Sequence, residues 1–158
     1  RSVVCCSGGG DAPDNEARKI LNTFDGAKEH MRAIVDTMFV DPKWAADEDY
    51  ITRRWELATL PGAWEATAAA RFKAPFRDAA RVRSERDQIP YANISVPVLV
   101  FAGKHDPLRL PGYTDGFVPQ IPCAQLHVFE NAGHMGNIEC ADEFNARTLA
   151  FLTAVDSE

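Results

Sequence analysis

Apolar positions along the chain change texture twice. Val3-Val4-Cys5-Cys6 is a short apolar run, β-branched at its start, and Ser7-Gly8-Gly9-Gly10 closes it. Such a run predicts a buried strand and a tight turn. Asp11 to Asp14, with Pro13, reads as loop. Met31, Ile34, Val35, Met38 and Phe39 then recur at helical spacing. They give one apolar face from about Ala27 to Phe39, which Asp41-Pro42 interrupts. A second helix is expected from about Ala46 to Leu57. Asp47, Glu48 and Asp49 lie in its first turn, where the helix dipole favours acids, and Leu60-Pro61-Gly62 stops it. A third, alanine-rich helix is expected from about Ala63 to Phe72, ahead of Pro75. The charged stretch Asp78 to Arg86 reads as a short helix leading back to a sheet.

Near Pro90 the pattern becomes strand-like. Val96-Pro97-Val98-Leu99-Val100-Phe101-Ala102-Gly103 is almost continuously apolar, as parallel strands covered on both faces are. Gln125 to Phe129 is a further candidate strand. Phe144, Thr148, Phe151, Leu152 and Val155 then share a helical face near the end. The order is strand, helical block, strand, loop, strand, helix. That order predicts an α/β layer structure with a parallel sheet. The helical block exceeds what one crossover needs and reads as an insertion.

The 158 residues are 46% apolar and 25% charged, which is ordinary for a globular domain. The formal charge of -6 comes with scattered basic residues and no basic stripe beside aromatics. Nucleic-acid binding is therefore not expected. No run of roughly 20 apolar residues suggests a membrane span. The four cysteines, Cys5, Cys6, Cys123 and Cys140, show no CxxC spacing. Zinc is not expected, and reduced, mostly buried thiols in a cytoplasmic protein are. Arg1 leads straight into an apolar run without a Met, so the chain reads as a fragment or a processed product.

Two residues carry candidate chemistry. Asp106 follows one strand within Gly103-Lys104-His105-Asp106-Pro107, and His134 follows the next within Asn131-Ala132-Gly133-His134. Open α/β sheets build their sites at the carboxyl ends of strands. Loops after neighbouring strands can therefore join side chains far apart in sequence. A carboxylate beside imidazole fixes its tautomer and stabilises the imidazolium formed during proton transfer. Alone, each motif is as readily a turn. Together, Asp then His, each after a strand and before a final amphipathic helix, match the order of the last two members of an α/β-hydrolase triad.

Four segments extend that likeness: Val3 to Gly10, Arg53-Arg54-Trp55-Glu56, Gly103 to Asp106, and Gln125-Leu126-His127-Val128-Phe129-Glu130-Asn131-Ala132-Gly133-His134. The last continues through Ile138-Glu139 and Ala141-Asp142-Glu143-Phe144-Asn145. With them, nearly the whole chain resembles the C-terminal half of the meta-cleavage-product hydrolases, carbon–carbon bond hydrolases of bacterial aromatic degradation. The resemblance implies a partial α/β-hydrolase fold. Residues 1–14 would be strand and turn of the core, 15–88 a helical cap, and 89–158 the C-terminal part of the core. It implies catalytic Asp106 and His134, with Arg54, Trp55 and Met135 at the substrate. It also implies a dienoate-type carboxylate substrate and no metal or organic cofactor. His would assist ketonisation of the substrate before cleavage.

Plainer readings stand beside these. Arg54 could pair with Glu56 or Asp49 on a helix surface, Arg53 could take its place, and Trp55 could serve packing. His105, Asp106, His134 and Glu139 lack the spacing of a helical metal motif. Met135 stands where the family often has Trp, and the loop Asp106 to Pro111 is one residue longer than usual. A Gly-x-Ser-x-Gly elbow is absent; Ser7, the serine that follows a strand, lacks the Gly two positions before it and reads as turn chemistry. The nucleophile is thus expected upstream, the isolated chain is expected to be inactive, and a complementary N-terminal chain or self-association is expected at the first strand's edge. Ester or epoxide hydrolysis, cofactor-free oxygenation, or a non-catalytic ligand-binding homologue are the alternatives.

Overall fold

Three parallel strands carry the core. In the computed structural model, which describes residues 1–10, 13–69 and 89–157, these are β1 (Val3–Cys6), β2 (Val98–Gly103) and β3 (Ala124–Phe129), side by side in that order. Val3 pairs with Val98, and Val98 in turn with Ala124. The continuous apolar run becomes β2, buried at all six positions, because among the described strands it is the one with a strand on each side and cover on each face. Its start is Val98, two residues later than the apolar run suggests.

Alternation along the strands divides the core in two. Leu99, Phe101 and Phe129 point to one face and pack with Ala132 and Phe151; Phe101 and Phe129 stack at 5.3 Å. Val98 and Val100 point to the other, against Phe117 and Ile121. The helices on this side of the chain are a single turn, α6 (Gly136–Glu139), and the terminal α7 (Ala141–Asp156). Phe144, Phe151 and Val155 of α7 face the sheet. Leu152, expected on the same stripe, is 39% exposed. It lies about 80° around the helix from Phe144 at 3.6 residues per turn, on the flank of the stripe.

Contacts divide the chain into two compact units: Arg1–Pro13, Met38–Asp41 and Pro90–Glu158 in one, Asp14–Thr37 and Pro42–Ile89 in the other. Met38–Asp41, inside the expected cap range, thus groups with the sheet. The second unit holds α1 (Glu16–Asn22), α2 (Lys28–Met38, whose last residue falls in the sheet unit), α3 (Lys43–Ala46), α4 (Glu48–Ala58) and α5 (Ala63–Ala69). Met31, Ile34 and Val35 are the buried stripe of α2. The helix expected to start at Ala46 starts at Glu48 instead. Asp47 takes an extended backbone and caps it, its carboxylate accepting from the Tyr50 N–H at 2.9 Å, the usual role of an N-cap acid. Lys28 and Arg32 of α2 both pair with Glu48, which ties α2 to α4. The expected helix at Asp78 to Arg86 lies outside the described residues. No described helix is long and apolar enough to cross a membrane.

At the carboxyl end of β2, Gly103 is pressed against the loop after β3. A Cβ there would stand 1.9 Å from the Gly133 carbonyl oxygen, so only glycine fits. Gly103→Ala should destabilise the protein by about 3 kcal/mol, at the upper end of overpacking costs because backbone must move. Urea unfolding measures it, and a loss under about 1 kcal/mol would contradict the close approach.

Candidate active site

The two loops that leave β2 and β3 are joined before they reach their functional side chains. Lys104 N–H donates to Phe129 O at 3.0 Å and His105 N–H to Ala132 O at 3.1 Å. The parallel ladder therefore continues past the strand ends. Asp106 follows, with its side chain only 1% exposed. Its Oδ1 accepts from the Leu108 N–H at 2.8 Å, the self-bonded turn that Asp favours. Its Oδ2 accepts from His134 Nδ1 at 2.8 Å. A buried carboxylate needs such partners, and here each oxygen has one. The His134 side chain stays 22% exposed. With Nδ1 engaged by the acid, Nε2 is the nitrogen left to exchange a proton.

The base loop has its own support. The Gly133 N–H donates to Glu139 Oε2 at 2.7 Å, while Glu139 Oε1 accepts from the N–H groups of Val40 and Asp41 at 2.6 and 3.3 Å. The His134 N–H donates to Met38 O at 2.9 Å. That bond takes the last carbonyl of α2, and Phe39, expected in the helix, falls outside it. Met135 begins the single turn α6, its carbonyl accepting from Ile138 and Glu139. The turn swings Glu139 back onto Gly133.

Ser7 is the described non-glycine residue with a left-handed backbone (φ 53°). A strained serine after a strand resembles a nucleophile's setting, but its hydroxyl donates to the His134 carbonyl oxygen at 2.8 Å, not to the ring. Burial pushes the Cys6 thiol up, an effect the Ser7 hydroxyl partly offsets, so Cys6 is no ready thiolate. Burial, with the Asp106 charge adding to it, also lifts the Tyr113 phenol to about 12. Among the described residues, no group of three or more His, Cys, Asp and Glu could hold a metal.

Arg54 and Trp55 lie on α4 in the helical unit. The Arg54 guanidinium stands 5.9 Å over the Tyr50 ring, with Nη1 3.5 Å from the Tyr50 hydroxyl. The Trp55 indole N–H donates to Gly26 O at 2.8 Å, fastening α4 to the turn before α2. Arg109 carries no motif in the sequence, yet its Nε and Nη2 donate to Ser7 O at 3.1 and 2.8 Å. Partners 102 positions apart leave no local signal. His127, between Phe101 and Phe129, meets Glu143, and His30 meets Ile20 O; both serve the packing around them.

A parallel sheet whose strand-end loops join a buried Asp to a half-exposed His defines a hydrolase-type core. Residues 1–147 match the "Alpha/beta hydrolase family", and the chain belongs to that family. Among solved structures it is similar to the meta-cleavage product hydrolase CumD from Pseudomonas fluorescens, with a TM-score of 0.76 at 22% identity over 96% of this chain and 55% of that one. It is also similar to the 2-hydroxy-6-oxo-6-phenylhexa-2,4-dienoate hydrolase of a Rhodococcus, with a TM-score of 0.69 at 18% identity over 96% of this chain and 54% of that one. An enol-lactonase from Burkholderia xenovorans aligns with a TM-score of 0.67 at 22% identity over 97% of this chain and 56% of that one. The chain thus spans about half the length of the structures it matches.

Glu139→Gln should cost about 2 kcal/mol, since a charge-assisted acceptor for three N–H groups is replaced by one carbonyl oxygen. Urea unfolding reads the loss; an unchanged midpoint would remove Glu139 from the support of the loop.

Proposed function

We propose that the protein containing this chain hydrolyses a carbon–carbon bond in a meta-ring-fission product of aromatic degradation. The observation that carries the reading is the 2.8 Å bond from His134 Nδ1 to the buried Asp106 carboxylate. It supports a base held in one tautomer, free to shuttle a proton at Nε2. The names of the two aligned carbon–carbon hydrolases support the substrate class. In the reaction, water is added across the cleaved bond. Its hydroxyl goes to the acyl carbon and its hydrogen to the dienoate carbon. His134 would first move a proton from the substrate's enol hydroxyl to carbon, giving the ketone that cleavage requires. Arg54 would take the dienoate carboxylate, because a guanidinium fork matches a carboxylate. Trp55 and Met135 would line the substrate. The nucleophile and oxyanion donors would come from residues beyond this chain.

The same His–Asp pair serves acyl transfer, and the likeness to an enol-lactonase favours an ester or lactone as the second reading. The two separate on substrate: a vinylogous 1,5-diketone for the first, an enol lactone for the second.

In the full-length protein, His134→Ala should abolish cleavage of the diketone, and Asp106→Asn should lower kcat by about 10⁴. Arg54→Ala should raise KM for carboxylate-bearing substrates while sparing esters that lack one. Unchanged steady-state kinetics in all three would sink the assignment.

The outer edge of β1 supports a partner. Val3 and Val4 are 43% and 36% exposed, and among the described residues no strand pairs there. An unpaired edge recruits another strand. The 158-residue chain alone should therefore associate, with itself or with an added N-terminal half, and show no turnover. A monomeric mass at all concentrations with and without that half would contradict this.

A further inference from the structure

We infer that Ser7 and Arg109 form a clamp that positions His134 against Asp106. The inference rests on reading those two as the proton-handling pair. Ser7 holds a left-handed backbone that costs any residue but glycine, in a turn where glycine fills the next three positions. Glycine at position 7 would relieve that strain. What serine adds is its hydroxyl, and the hydroxyl is committed to the carbonyl of His134. An observed backbone outlier with a committed side chain points to function.

The remaining polar groups of Ser7 extend the link. Its N–H donates to Phe101 O on β2 at 2.9 Å. Its carbonyl accepts both Arg109 donors. Arg109 lies three residues after Asp106, and its guanidinium also stands 5.5 Å from the Tyr113 ring. Its N–H turns back toward the Asp106 carbonyl at 3.4 Å. Ser7 is buried, 5% exposed. One residue at the end of β1 thus holds the base loop through its hydroxyl and the acid loop through its carbonyl. Ser7 and Arg109 touch no reacting atom; they are positioning residues, acting through His134 and Asp106.

Two replacements of Ser7 separate positioning from mere stability. S7A keeps the strain and loses the hydroxyl; S7G loses both. A structural role makes S7A the worse variant and leaves S7G like the parent. The clamp makes both fail alike at His134, whatever their melting temperatures. The first readout is the hydrogen-bonded Nδ1–H proton of His134 by NMR, followed by its solvent exchange. It should broaden or vanish in S7A, S7G and R109M, and persist in the parent. The second, in the full-length protein, is steady-state kinetics on a ring-fission diketone. There kcat should fall by about ten- to a hundredfold in S7G, as small misplacements of a catalytic group do, with KM nearly unchanged. An intact Nδ1–H signal and parental kcat in S7G would overturn the clamp while leaving the hydrolase reading in place. Loss of the signal in S7G, in a parent that turns over no diketone, would support the clamp and defeat the carbon–carbon hydrolase reading instead.

Discussion

At the carboxyl end of the sheet, two backbones run closer than any side chain allows. Gly103 closes β2 with no room for a Cβ before the carbonyl of Gly133, and the N–H groups of Lys104 and His105 bond across the same gap. The pairing of Asp106 with His134 depends on that approach. It keeps the loops after β2 and β3 together for several residues beyond the strands. Asp106 and His134 then emerge from adjacent backbones, not from two independent excursions. A hydrogen bond of 2.8 Å between residues 28 apart needs little loop entropy once the loops are laced.

The same constraint accounts for the division of burial. Asp106 lies under its loop with both oxygens engaged, so its charge is sheltered without being orphaned. His134 sits at the rim, more open to whatever occupies the site. Support radiates from this pair in two directions. Glu139 and Met38 accept from the N–H groups of Gly133 and His134, and Ser7 bonds to the carbonyl of His134. His134 therefore has its N–H, its C=O and its Nδ1 all hydrogen-bonded, which leaves Nε2 as the ring nitrogen not engaged by Asp106.

Much of this is legible in the residues, for reasons that differ by element. β2 is plain because both its faces and both its edges are covered, which forces an unbroken apolar run. The stripe of α2 is plain because Met31, Ile34 and Val35 are buried at helical spacing. α1 leaves no such pattern: of its seven residues only Leu21 is buried, too little to set a period. Asn15, whose side chain accepts from the Arg18 N–H, is the local sign of its start. Asp106 and His134 stand out because topology places strand-end loops on one edge. Arg109 and the hydroxyl of Ser7 do not, because their partners are more than a hundred positions away, and no spacing rule carries that distance. The strain at Ser7 is equally invisible, since a serine among glycines reads only as a turn.

The saturation of Asp106 also sorts the chemistry open to the site. A carboxylate whose side chain is 1% exposed, with one oxygen on a backbone N–H and the other on imidazole, has no face to offer a substrate. That argues against Asp106 as an attacking group, as an epoxide-opening carboxylate would be, and is consistent with the proposed role of orienting the imidazole. Ser7 is excluded on the same kind of ground, because its hydroxyl proton already belongs to the His134 carbonyl. Cys6, with its thiol pushed up by burial, is disfavoured as a thiolate. In the proposed role, this part of the fold would supply a proton acceptor of fixed orientation, acting at one nitrogen. Such a device suits proton movement on an enol as well as activation of a nucleophile brought to Nε2. The reactions of carbon–carbon hydrolases and of lactonases meet at that common requirement.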